Sequence, residues 1–271
     1  VLCGLATLFG PAPGSADHRH TQLSYAVYSG GFQIFTLDAS ATLGPTGFSV
    51  ESMGRTQGLF DFVLRFVLSA RSEGSIGASG LVPVRYRTDS DWRWSQRTMT
   101  IDWDAAGMPT ARRAPLADSY SEDRTPVPPA MTVGTTDLLT ALLERVLARP
   151  GDDPCQGKAA IFDGRRRYDL HFTPLGSETL APSGYAIFAG EAVKCRLDLE
   201  RIAGYKIGGE RGDLSVENDM SIVWIGRLAA DQPPVPVRIE ASNRIGRLIA
   251  HVTRARIETE THAVGAAIPA K

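Results

Sequence analysis

Three consecutive arginines, Arg165, Arg166 and Arg167, follow an Asp163–Gly164 pair and lead into the alternating run Tyr168 to Phe172. A guanidinium is always charged and presents a planar fork of donors, so such a cluster suits a phosphate or carboxylate. A lipid head group or a glycan would be a fitting partner. The same residues have a plainer use: arginines beside a turn solvate a hairpin and pair with Asp163 and Asp169. Strict alternation sends Arg165 and Arg167 to the wet face and gives Arg166 the parity of Tyr168. The plainer use takes precedence, with an anion contact at Arg165, Arg166 and Arg167 as the candidate binding function.

A second group is apolar. Leu139, Leu142 and Leu143, with Trp92 and Trp94, are expected either to form core or to line an apolar ligand. Trp92, Trp94 and Trp103 could also stack a sugar, although such residues more often pack a sheet face. His18 and His20 could bind a metal, and a cut after Ser15 would give Ala16-Asp17-His18, an amino-terminal copper-type site, but that cut is disfavoured and exposed N-terminal histidines are common, so no metal and no cofactor are assigned. The chain has no Gly-x-Ser-x-Gly, no His-Glu-x-x-His, no phosphate-cradling glycine loop and no dinucleotide fingerprint. Acidic residues number 30, yet no spacing selects a carboxylate pair for glycoside hydrolysis. A non-enzymatic protein is therefore expected. A formal net charge of -1 gives no bulk attraction for nucleic acid.

Residues 1–16 form an apolar run followed by proline, glycine and small residues, which reads as the remnant of a signal peptide. The run is too short to span a bilayer, and an exported, periplasmic protein is the expectation. Beyond it only Cys155 and Cys195 remain, and an even count in an exported chain favours a disulfide.

The elements that must position these groups are mostly strands. Gly30–Gly31 marks a hairpin between apolar runs. In 59–70, Phe60, Phe62, Leu64, Phe66 and Leu68 share a face at period two, which predicts a strand, though the run also tolerates a helical reading. Val84 and Tyr86 oppose Arg85 and Arg87 in the next alternating stretch. Residues 109–134, rich in proline and polar residues, read as a long surface connection. A helix is predicted over 136–148, capped by Thr135 or Thr136, with Asp137 complementing its dipole. Its stripe is Leu138, Leu139, Leu142, Leu143, Val146 and Leu147. Strands then resume. Asp163–Gly164 predicts a two-residue hairpin, Tyr168, Leu170 and Phe172 share one face, and so do Cys195, Leu197 and Leu199. Three more strands end near residue 258, and 261–271 reads as a flexible tail. The expected architecture is mainly β: one domain over 17–260, with a single antiparallel, strongly curved sheet or an open, spiral barrel. One amphipathic helix packs on it.

Five stretches carry a family resemblance: "GLVPVRYRTDSDW", "MTIDWDAAGMPTA", "TTDLLTALLERVL", "CQGKAAIFDGRRRYDL" and "CRLDLERIAGYK". Their order resembles the proteobacterial envelope proteins grouped as domain-of-unknown-function family 3108. The resemblance implies a periplasmic, mainly antiparallel β protein with no established activity and no catalytic residue to carry over. Three functions are then expected in order. The first is a non-enzymatic protein that holds an apolar or lipid-like ligand or an envelope partner. The second is a structural protein with a packed core, and the third is a glycan-directed hydrolase. Partners would be a lipid or an envelope protein, not nucleic acid, and the chain is not expected to span a membrane.

Overall fold

The computed structural model describes residues 16–78, 80–92, 95–115, 124–147, 152–207, 220–243 and 246–262. Its first half holds β1 (Ala16–Ser29), β2 (Phe32–Leu43), β3 (Gly47–Thr56), α1 (Leu59–Leu64), β4 (Phe66–Gly77), β5 (Gly80–Trp92), β6 (Ser95–Trp103) and β7 (Pro109–Ala114). Then come α2 (Leu138–Val146), β8 (Gly157–Phe162), β9 (Arg167–Leu180), β10 (Gly190–Ala203), β11 (Met220–Gly226), β12 (Val235–Asn243) and β13 (Gly246–His262). All thirteen strands belong to one antiparallel sheet in the order β7-β6-β5-β4-β3-β2-β1-β13-β12-β11-β10-β9-β8. The mainly-β expectation holds, and among the described residues no backbone pairing closes the sheet.

Side chains and one connecting segment bring its two edges together. Arg113 of β7 donates to the Gly164 carbonyl at 2.5 Å. Phe162 of β8 packs with Tyr86, Ile101 and Trp103 of β5 and β6. The exposed edge of β8 is covered by the segment leading into α2: Thr136 N–H donates to Ala160 O at 2.9 Å, and Phe162 N–H to Thr136 O at 3.0 Å. An edge so covered no longer offers a template for another strand. α2 touches β3, β4 and β5 on one side and β8 on the other, so it spans the gap between strands far apart in the sheet order.

α2 starts later than predicted, and its cap is Asp137 rather than Thr135 or Thr136. The Thr135 hydroxyl donates to the Thr132 carbonyl, and the Thr136 backbone is committed to β8. Asp137 is left to accept the Thr140 N–H at 3.0 Å. Its other oxygen accepts from the hydroxyls of Ser72, on β4, and Thr140, each at 2.7 Å. All three residues are buried. Burial pushes the Asp137 carboxyl above its ordinary pKa, although these hydrogen bonds oppose the shift.

Other expectations need correction. Residues 59–64 are helical, not the start of a strand: Gly58, at φ +61°, ends the extended run after β3, and Phe62 stands 80% exposed. The alternation at Val84 and Tyr86 breaks because the register shifts opposite Glu73 and Gly74. Pro83 and Tyr86 are buried while Val84 is exposed. Within the stretch read as a long connection, Pro109–Ala114 forms β7, with proline at the first position, where no ladder N–H is required. Gly30–Gly31 forms a hairpin, as predicted; the loop has two residues and both glycines are at positive φ. β13 continues past residue 258 to His262 and pairs there with β1. Residues 1–15, read as signal-peptide remnant, residues 263–271 of the expected tail, and Trp94 lie outside the described residues.

Candidate functional site

Between α2 and the inner face of the sheet lies a cavity of ≈ 610 Å³. Its walls follow from period-two alternation. β9 contributes Tyr168, Leu170 and Phe172, β10 contributes Cys195, Leu197 and Leu199, and β11 contributes Val223 and Ile225. β1 and β2 add Leu23, Tyr25 and Leu37 from across the sheet. The helical stripe divides its labour: Leu143 is buried against Phe48 and Val50, while Leu139 and Leu142 stay half-buried at the cavity wall. Burial pushes the phenols of Tyr25 and Tyr168 well above their ordinary pKa, so both stay neutral, and Tyr25 donates to the Pro236 carbonyl at 2.8 Å.

Cys155 and Cys195 are both buried and paired as a disulfide, with Cα atoms 4.9 Å apart. The pair ties the segment after α2 to the middle of β10, where Cys195 forms part of the cavity wall.

The three arginines do not converge. Arg166 turns to the cavity, as its shared parity with Tyr168 requires. Its Nε donates to Asp163 at 2.8 Å, and the other oxygen of Asp163 accepts the backbone N–H of Arg165 and Arg166 at 2.9 and 2.6 Å. Burial alone would lower the Arg166 pKa; the Asp163 carboxylate, together with Tyr205 and Tyr168, raises it instead and keeps the group charged. Arg167 was expected on the wet face, but its side chain is only 13% exposed. It donates to the carbonyls of Met131 and Tyr168 and to Asp169 at 2.6 Å. The reason is Asp169, which is buried: desolvation would push its carboxyl up, yet hydrogen bonds from Lys158 and Arg167 hold it below its ordinary value. The turn itself is the four-residue loop Asp163 to Arg166, not a two-residue hairpin, with Gly164 at φ +84°.

Trp92 is not at the cavity. It packs against Phe66 with ring centroids 4.4 Å apart, and Phe66 stacks on Phe35. Trp103 is core. His20 meets the Thr42 hydroxyl at 2.9 Å. Asp169, His171 and Glu200 come close enough to suit a metal, but on the outer face, and Asp169 is already engaged by Lys158 and Arg167.

Sequence reasoning missed Arg201, Gly204 and Tyr205. Arg201 and Tyr205 belong to the cavity wall, and the Arg166 and Arg201 guanidinium carbons lie 5.9 and 5.2 Å from the Tyr205 ring centroid. A signal for Arg201 was present: the alternation Cys195, Leu197, Leu199 continues to it. Gly204, at φ +85°, lies flush against the arginine turn, where a Cβ would stand 2.8 Å from Arg166 Cα.

These features define a barrel-like β protein whose open sheet curls around one helix and leaves an apolar cavity between them. Residues 24–253 match the family described as "Protein of unknown function (DUF3108)", and the chain belongs to that family. Among solved structures, it is similar to the beta-barrel-like protein of domain of unknown function DUF1849 from Brucella abortus. That similarity is at 9% identity over 90% of this chain and 98% of the other, with a TM-score of 0.46. No curated protein matches the chain. Among the described residues, no helix is long and apolar enough to cross a membrane.

Proposed function

We propose that this is a non-enzymatic protein of the cell envelope that holds an apolar, lipid-like ligand between α2 and the sheet. One observation carries the reading: a cavity of ≈ 610 Å³ walled mainly by leucine, valine, isoleucine and aromatic side chains. Small-molecule sites fall in the range of ~300–1,000 Å³, and a void with this lining favours an apolar occupant over water. The paired Cys155 and Cys195 support an oxidising compartment such as the periplasm. The Glu51 carboxylate, the one acidic side chain among the described residues of the wall, is held by Arg71, which gives a hydrolase no carboxylate pair there.

The test has two arms. Organic extraction of purified protein followed by mass spectrometry is expected to release an acyl lipid. A fluorescent apolar probe such as N-phenyl-1-naphthylamine is expected to bind, and Leu142→Trp, which fills the space beside the helix, is expected to weaken it. Protein that carries no lipid and ignores the probe would instead be a structural protein of the envelope.

A further inference from the structure

We infer that the cavity takes an acyl-chain amphiphile with an anionic head, and that Arg166, Arg201 and Tyr205 hold that head. The inference rests on the apolar-ligand reading above and adds the chemistry of the ligand's polar end. Charge is the first argument. The described residues of the wall include the guanidinium groups of Arg19, Arg145, Arg166 and Arg201, of which Arg166 is paired with Asp163 and Arg145 lies beside Glu144. A largely apolar wall with guanidinium groups set into it complements a ligand that is apolar along its length and negative at one end.

Register is the second argument, because it brings Arg166 and Arg201 to the same end of the β9–β10 pair. The inner face leading into β9 reads Arg166, Tyr168, Leu170, Phe172. β10 runs antiparallel, with Arg201 opposite Tyr168, Leu199 opposite Leu170, and Leu197 opposite Phe172. Both strands thus pass from guanidinium to hydrocarbon in the same direction. At about 3.3 Å per residue, the stretch from Arg166 to Phe172 extends about 20 Å, enough wall for an extended chain.

The head-group end is also built in advance. Arg166 is fastened through Nε to Asp163 at 2.8 Å. Among the described residues no acceptor meets its Nη1–Nη2 edge, the fork that grips a carboxylate or phosphate with two parallel bonds. Arg145, by contrast, is engaged over the Phe172 ring and by the Gln156 carbonyl at 3.0 Å. Tyr205 is held from behind: Thr125 N–H donates to Tyr205 O at 2.9 Å, the Thr125 hydroxyl accepts Gly204 N–H at 2.9 Å, and Arg124 donates to Gly204 O at 3.0 Å. Groups held in place before the ligand arrives lose little freedom on binding.

The experiment compares cis-parinaric acid with its neutral alcohol on the full chain by fluorescence titration. The wild-type protein is expected to prefer the acid by about tenfold or more, the return on a charge-assisted fork. Arg166→Gln and Arg201→Gln are expected to bring the acid-to-alcohol ratio towards one, with folding checked by near-ultraviolet circular dichroism. The wild-type ratio stands on its own should a variant fail to fold. Displacement by oleate or by lysophosphatidate, either exceeding displacement by lysophosphatidylcholine, supports the site and tells carboxylate from phosphate. Equal affinity of wild type for acid and alcohol overturns the head-group site and leaves the apolar cavity standing. Binding of neither probe overturns both readings.

Discussion

Replacing Asp137 by alanine and by asparagine separates two roles that one buried carboxylate performs. Its Oδ1 caps α2 through the Thr140 N–H, and its Oδ2 accepts two hydroxyls, from Ser72 and Thr140. Alanine removes the cap, a loss of about 1 kcal/mol. It also strips an acceptor from two buried hydroxyls. These still meet each other at 2.9 Å, so one donor is orphaned, at about 1–3 kcal/mol. Asp137→Ala should therefore cost about 2–4 kcal/mol in urea unfolding followed by tryptophan fluorescence. Asparagine keeps the capping oxygen, its amide can donate to a hydroxyl that turns to receive it, and a buried charge is removed. Asp137→Asn should stay within about 1 kcal/mol of wild type.

The pH dependence adds a sign. The folded-state pKa of Asp137 is raised above its ordinary value of 3.8. A group raised in this way contributes its stability fully below the unfolded pKa and loses it as pH rises through the folded pKa. Acidification from neutral pH towards 3.8 should therefore favour wild type relative to Asp137→Asn. A loss under about 1 kcal/mol for alanine, or asparagine as damaging as alanine, would refute the reasoning. So would a gap that moves the other way with pH.

The remaining expectations concern the covalent tie and the arginine turn. Non-reduced peptide mapping should recover Cys155 and Cys195 in one linked fragment, and free thiols at both would remove the tie. With 40 residues of separation, substituting both by alanine should cost about 4 kcal/mol by the chain-entropy estimate. Gly164→Val should cost about 2 kcal/mol or more, since φ there is +84° and the new Cβ would overlap the Met99 thioether. A melting temperature unchanged by that substitution would show that the loop can turn without its glycine.

Local pattern alone was enough for much of this protein. Alternation placed Tyr168, Leu170 and Phe172 on one face and Cys195, Leu197 and Leu199 on another, because side-chain direction in a strand is set by parity and needs no knowledge of the partner. The same rule gave Arg166 its inward parity, and the leucine stripe marked α2 as a helix with one apolar side. Patterns failed where a distant contact overrode them. The cap fell to Asp137 because Thr136 is drawn into pairing with β8, and Arg167 is covered on the outer face because Asp169 and the Met131 carbonyl engage it there. Phe60 and Phe62 fit a strand period as well as a helical one, and in the structure they follow the break at Gly58 as helix. Only the tertiary structure decided that α2 is held between β3 to β5 and β8 without filling the space beneath it. A cavity is a property of how separate elements come together, and no local period records the volume they leave between them.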